Sequence, residues 1–331
     1  MTRLDQEQRE REILSPYACL SADSRGRERP EEECLVRTCF QRDVDRIVHS
    51  KSFRRLMHKT QVFLRPEGDH YRTRMTHTLE VARIARTIAC GLNLNEPLTE
   101  AIALGHDLGH TPFGHAGERL LSSLMPDGFR HYEQSLRIVD VLEKDGEGLN
   151  LTYEVRNGIL CHTRGEQAVT LEGRIVRLAD RIAYINHDID DALRAGILTD
   201  EDLPKDAAAV LGTRYSARIN TLICDIIEHS ADDICQGEEV KAAMDRMHAF
   251  LFQSVYTNPV AKGEEVKAQA LLKRLFEYYV EHTGELPDEF QKIAAREGEK
   301  RAVCDYIAGM TDKFSMDLYE ALFIPLRWAQ K

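Results

Sequence analysis

Four residues, His77, His106, Asp107 and Asp180, place imidazoles and carboxylates among apolar neighbours at helical spacing. His77 shares a face with Val81, Ile84 and Ile88, at i, i+4, i+7 and i+11, so it points inward from near a helix start. Leu98, Ile102 and His106 repeat the pattern at i, i+4 and i+8, and Asp107 follows directly. Asp180 sits in the apolar run LADRIAY. Buried carboxylates and imidazoles are costly without a partner, and a divalent cation is a natural one. His115 and Glu118 follow at i, i+3, a spacing at which a carboxylate can orient an imidazole. A second His-Asp pair, His187-Asp188, shows that the dipeptide alone is weak evidence. It lacks the GHTPFGHAGE run that follows the first, and is placed behind the ligands or against a substrate at most.

These residues need helices to position them. From Asp43 onward the pattern is helical almost throughout, and period-two alternation is scarce. The spacing predicts helices over 43–58, 74–92, 97–109, 114–124, 131–144, 152–161, 170–195, 200–211, 215–230, 236–256, 263–282, 288–308 and 312–328. Gly109 is read as the helix stop after Asp107. A short hairpin could use Val62–Arg65. Residues 1–42 are polar and read as an irregular segment packed on the domain. The predicted fold is all-α, with a main domain over 43–230 and a helical C-terminal extension over 231–331.

Composition narrows the function. The 331 residues carry 44 basic and 55 acidic side chains, a net charge of −11, which disfavours a broad nucleic-acid-binding surface. Residues 1–75 hold 16 basic and 13 acidic residues, so the excess negative charge lies beyond them. Six of the 13 histidines fall in residues 70–131. The eight cysteines form no C-x-x-C pair and receive no catalytic role. Neither a phosphate loop nor a G-x-G-x-x-G run occurs. The charged N-terminus is unlike a signal peptide, and no apolar run could span a membrane, so a cytoplasmic place is expected.

The order His77, His106-Asp107, Asp180 resembles the H…HD…D signature of HD-domain metal-dependent phosphohydrolases. The runs RIVHSKSFRRLMHKTQVF (46–63), RTRMTHTLEVARIAR (72–86), GHDLGHTPFGHAGE (105–118) and RLADRIAYINHDIDDALRAGIL (177–198) resemble the deoxyguanosinetriphosphate triphosphohydrolase branch. SPYACLSADSRGRERPEEE (15–33) looks like the N-terminal stretch of its bacterial members.

The resemblance implies an HD-type helical fold in which His77, His106, Asp107 and Asp180 hold one divalent ion (Mn, Mg, Fe, Co or Ni). The mixed N/O set suits such ions; a closed structural zinc site is the competing use of the same four residues. It further implies hydrolysis of deoxynucleoside triphosphates at the α-phosphorus, with His115 as general acid/base, Glu118 as its orienter and His110 on phosphate. Arg74, Arg181 and His131 fall at phosphate-binding positions, Tyr184 and Asp188 at the deoxyribose, and Gln61 near the base. Lys51, Arg54, Arg55 and Lys59 are further cationic candidates. Family members are commonly homo-oligomers with regulatory nucleotides between subunits. Two alternatives stay open at this point: an HD phosphohydrolase for monophosphates or a signalling nucleotide, and a nucleotide-sensing or single-stranded nucleic-acid-binding module.

Overall fold

A computed structural model describes residues 1–61, 72–163, 165–255 and 259–325. The expected hairpin at Val62–Arg65 and the unassigned His70 lie outside the described residues. Among those described there are helices and isolated bridges but no strand. The helices are α1 Arg3–Ile13, α2 Cys39–Val48, α3 Lys51–Arg55, α4 Arg74–Gly91, α5 Glu96–Gly105, α6 His115–Leu124, α7 His131–Arg137, α8 Tyr153–Leu160 and α9 Leu171–Arg194, then α10 Lys205–Leu211, α11 Tyr215–His229, α12 Glu238–Ser254, α13 Pro259–Glu281, α14 Asp288–Glu297, α15 Glu299–Ala308 and α16 Asp312–Phe323. None is long and apolar enough to cross a membrane.

Several expectations change, among them the single helix expected over 288–308, which is two helices parted at Gly298, where φ is +96°. Residues 3–13 are helical rather than irregular. Thr2 and Asp5 cap each other reciprocally, and Arg3 pairs with Glu7 one turn on. The segment has almost no apolar face, so periodicity could not reveal it. The helix expected over 43–58 starts at Cys39 and breaks at His49–Ser50, where Ser50 caps a new short helix by accepting from the Phe53 N–H. The helix expected over 97–109 ends at Gly105. His106 and Asp107 therefore occupy a turn at its C-terminus rather than the last helical turn.

The helices that carry the site start where capping chemistry tells them to. Thr73 and Thr76 cap α4 reciprocally. Asn95 accepts from the Leu98 N–H to open α5, with Pro97 in the first turn. Thr170 caps α9 through the Gly173 N–H. Once started, α4, α5 and α9 bury Val81, Ile84, Ile88, Leu98, Ile102, Ile175, Ile182, Ile185 and Ile189 in one core. A second core joins Phe113, Ala116, Leu120, Leu121 and Phe129 to α13 and α15 through Leu272, Leu275, Phe276, Val303 and Ile307. The apolar face of α6 thus packs against residues far along the chain.

Lys59 fastens the two cores together. Its buried ammonium donates to the carbonyls of His110 and Ala308. Burial, reinforced by the charges of Arg55 and Arg74, pushes it down to about 7.

At the N-terminus of α9, Glu172 is wholly buried and its Oε1 accepts the backbone N–H groups of Cys19 and Asn95, each at 3.0 Å. Oε2 has no hydrogen-bond partner. Burial raises this carboxyl from 4.5 to about 7. A carboxyl raised by folding favours the native state while protonated, so the contribution of Glu172 to stability is fully present below about pH 4.5 and is lost as pH climbs through about 7. The Glu172→Gln variant should lose that decline. Urea unfolding should give matching midpoints for both proteins at pH 4.5, and at pH 8 a variant more stable by about 3 kcal/mol. Equal stabilities at pH 8 would refute the assignment.

Candidate functional site

The candidate metal ligands converge from three places: His77 one turn into α4, His106 and Asp107 in the turn after α5, and Asp180 midway along α9. His77, His106 and Asp107 offer ligand atoms that all lie within 4.8 Å of one another. Asp180 Oδ1 stands 3.1 Å from His77 Nε2 and 3.7 Å from His106 Nε2. Asp107 Oδ2 lies 3.9 Å from His77 Nε2, and Oδ1 3.5 Å from His106 Nε2. The structure therefore brings all four together.

His106 supplies the test of whether a cation fits. Its Nδ1 contacts the Ala103 carbonyl at 2.6 Å and must donate there, so Nε2 is the nitrogen turned toward the cluster. That Nε2 is buried without a hydrogen-bond partner and faces two carboxylates. Two anionic carboxylates crowded on one buried imidazole repel each other, and positive charge between them, a proton on the ring or a cation, removes the conflict. Burial opposes charge on His106, yet Asp107 and Asp180 raise it to about 9. Burial also penalises both carboxylates, but the charges and hydrogen bonds around them hold both well below the usual range. For Asp107 these come from His110, His106 and Arg74; for Asp180, from His106 and His77. The site is built to take up positive charge.

A second group adjoins the first. His110 Nε2 is 3.1 Å from Asp107 Oδ1. His110 stacks on His131, with ring centroids 4.0 Å apart and planes at 17°. Burial and the Arg74 charge keep His110 neutral, far below its ordinary value. With Nε2–H donated to Asp107, its buried Nδ1 is an unpaired acceptor. Glu118 links the next two imidazoles: Oε2 is 3.3 Å from His115 Nδ1, and Oε1 takes the Nδ1 and backbone N–H of His131, both at 2.9 Å. His115 is half exposed, whereas His110 is buried. The expected pairing of His115 with Glu118 is present, and Glu118 holds His131 as well.

The remaining candidates divide. Arg74 is buried and donates Nη1 to Asp107 Oδ2 at 2.9 Å, while its Nε has no partner. Gln61 Oε1 is buried and has no hydrogen-bond partner. Tyr184 is held well above its ordinary value, chiefly by burial and then by the charge of Asp188. Asp188 is completely buried; burial and the neighbouring Asp191 push it well above the carboxylate range. Arg181 leads elsewhere, since its guanidinium pairs with Asp245 on α12. Lys51 pairs with Asp145, and Arg54 and Arg55 donate to the carbonyls of His49 and Gly309.

Sequence reasoning missed two contributors. His162 is buried with its ring 5.0 Å from His106, and its Nε2 lies 3.3 Å from His131 Nε2. Its Nδ1 contacts the Ile159 carbonyl at 2.7 Å, so His131 is the donor between the two rings. The signal was present: Val155, Ile159 and His162 form an inward row at i, i+4 and i+7. Glu80 has no such row. Burial alone would raise it, but His187, Tyr215 and Arg72 bring it down to about 2.

The loop between the two groups is fixed by backbone constraints. Phe113 adopts φ +59°, a costly conformation for an aromatic residue, and Asp312 of α16 accepts its N–H at 2.9 Å. The same carboxylate takes the Thr60 N–H at 2.9 Å. Ser135 of α7 accepts from the Gly109 N–H at 2.8 Å and donates to the His106 carbonyl at 2.6 Å. Gly109 lets α7 come this near: a Cβ there would stand 2.2 Å from the Ser135 nitrogen and 2.3 Å from the His131 carbonyl oxygen.

The chain is similar to known proteins over most of its length. A model of the HD domain matches residues 74–185, and one of a phosphohydrolase-associated domain matches 234–321. The chain is 56% identical over 327 residues to the deoxyguanosinetriphosphate triphosphohydrolase-like protein of Caldanaerobacter subterraneus subsp. tengcongensis, covering 98% of this chain and 96% of that one. It is 51% identical over 346 residues to the protein of the same name from Desulfatibacillum aliphaticivorans, covering 96% and 97%. Another, from Clostridium perfringens, is 50% identical over 327 residues, covering 96% of each chain. A solved phosphohydrolase from Bacteroides thetaiotaomicron shares the fold, with a TM-score of 0.54 at 18% identity over 84% of this chain and 67% of that one.

Replacing Gly109 with Ala should press α7 away from the ligand turn. We expect a stability loss of at least about 1–3 kcal/mol in urea unfolding, since the clashing atoms are backbone and cannot rotate aside. A Gly109→Ala protein of unchanged stability would show that the close approach is dispensable.

Proposed function

The chain belongs to the deoxyguanosinetriphosphate triphosphohydrolase-like family of HD-domain phosphohydrolases, and from that membership we infer that it hydrolyses deoxynucleoside triphosphates, dGTP or several dNTPs, at the α-phosphorus. The products are deoxynucleoside and inorganic triphosphate. The observation that carries this reading is the continuity of two groups: the ligand cluster with its unpaired His106 Nε2, and the His110–His115–Glu118–His131 array beside it.

His77, His106, Asp107 and Asp180 would hold one divalent ion. When bound, it supplies Lewis acidity and lowers the pKa of a coordinated water. The chain's own groups do the rest. Water attack at phosphorus needs a proton acceptor, and the departing 5′-oxygen needs a donor. His115, oriented by Glu118 and open to solvent, serves that exchange, and the unpaired Nδ1 of His110 is a nearby acceptor. Arg74 offers donors to phosphate oxygens; His131 would join it by releasing His162, and Arg181 by leaving Asp245. Tyr184 and Asp188 would flank the deoxyribose, where a packed ring leaves no room for a 2′-hydroxyl, and Gln61 would face the base.

In this reading residues 1–42 brace an HD-type body over 43–230, with 231–331 as the helical extension. The protein works in the cytoplasm as a homo-oligomer with regulatory dNTPs between subunits.

Anion-exchange analysis after incubation with each dNTP and Mn²⁺ or Mg²⁺ should reveal inorganic triphosphate. Orthophosphate or pyrophosphate in its place would reject attack at the α-phosphorus. The His77→Ala and Asp180→Ala variants should lose both bound metal and turnover; an active variant would remove that residue from the ligand set.

A further inference from the structure

Behind His77 runs a chain of hydrogen bonds that leads away from the ligand cluster. His77 Nδ1 lies 3.1 Å from His187 Nδ1, with the two rings edge to face at 80°. The other nitrogen of His187, Nε2, meets Glu80 Oε2. Glu80 also receives the Tyr215 hydroxyl on Oε2 at 2.8 Å and Arg72 Nε on Oε1 at 3.3 Å. Arg72 is anchored in turn on Asp190 at 2.7 Å and Asp191 at 3.0 Å. Four separate segments supply these groups: the strand-free approach to α4, then α4, α9 and α11.

Counting protons along the chain gives one consistent pattern. A carboxylate that accepts from a hydroxyl and a guanidinium is an acceptor toward its third neighbour too. His187 Nε2 must then donate to Glu80, and His187 Nδ1 is left as a lone pair. That lone pair faces His77 Nδ1, so His77 must donate from Nδ1. In the neutral ring Nε2 is then the nitrogen without a proton, and it is aimed at Asp180 Oδ1 and Asp107 Oδ2. The backbone carbonyl of Ala103 does the same for His106 in a single step. His77 takes three residues to reach that result.

We propose that Glu80, acting through His187, is a positioning residue that fixes the His77 tautomer and ring orientation so that Nε2 is presented to the metal. The proposal rests on the reading of His77 as a ligand. Its special feature is that the terminal carboxylate is one-third exposed while the relay imidazole is fully buried. The carboxylate can therefore be altered at the surface without opening the core. Outer partners of a ligand imidazole are worth about 10–100-fold in metal affinity, because they set its basicity and hold its direction.

The test is calorimetric titration of the metal-stripped full chain with Mn²⁺, beside ¹⁵N-detected tautomer analysis of its histidines. Wild type should show a His77 protonated at Nδ1. Glu80→Gln should weaken Mn²⁺ binding by about 10–100-fold, and the Nδ1–H form of His77 should lose its dominance. Tyr215→Phe, which removes one donor from Glu80, should shift both readouts in the same direction by less. Glu100→Gln, which breaks an ion pair with Arg86 on the neighbouring helix, should shift neither. Thermal unfolding of the metal-free variants separates loss of the relay from loss of fold. If His77→Ala abolishes Mn²⁺ binding while Glu80→Gln leaves affinity and tautomer unchanged, the relay is overturned and the ligand assignment stands. If His77→Ala binds Mn²⁺ as wild type does, the ligand assignment fails and takes the relay with it.

Discussion

The cost of burying Asp107 organises much of this molecule. The carboxylate is almost completely inside the protein and receives Arg74 on one oxygen and His110 on the other. Both oxygens also face the ligand imidazoles. A buried charge is tolerable only when its surroundings answer it from several sides. Here the answers come from α4, from the turn after α5 and from the loop before α6. Each must be placed to within hydrogen-bonding distance. The capping of α4 and α5, the apolar rows that seat them and the close approach at Gly109 all serve that placement.

The same demand explains why the site is layered. His106 and His77 each have one nitrogen engaged away from the cluster, which leaves the other facing it. His110, neutral and half satisfied, stands between the carboxylate it serves and His131. Moving outward, exposure rises until His115 meets solvent. Charge is thus fixed in the interior and proton traffic is left to the rim, a sensible division for hydrolysis of a polyanion.

Much of this was legible in the residues, and the illegible parts share a cause. His77 and His106 ended apolar rows, and Glu118 stood one turn from His115, so local periodicity exposed them. His162 ended a similar row but lies beyond Leu160, the last residue of α8, where helical periodicity no longer applies. Arg181 and Glu80 depended on partners far away in sequence. Asp245 lies 64 residues beyond Arg181, and His187 lies 107 beyond Glu80. No helical spacing encodes such a meeting. Helix α1 escaped for the opposite reason, since its stability comes from a cap and an ion pair rather than from an apolar face.

The packing of α6 has a consequence for how the protein is made. Phe113, Ala116, Leu120 and Leu121 find their partners among Leu272, Phe276, Val303 and Ile307. A nascent chain leaves the ribosome N-terminal end first, so α4, α5 and α9 can meet while those partners have yet to be synthesised. Until they emerge, the apolar side of α6 is uncovered, and the strained turn at Phe113 lacks the Asp312 carboxylate that holds it. The cluster of His77, His106, Asp107 and Asp180 can therefore form early in biogenesis, whereas the edge that carries His115 waits for translation to finish. Under the proposed function, a half-made chain would grip an ion before it could act on a nucleotide.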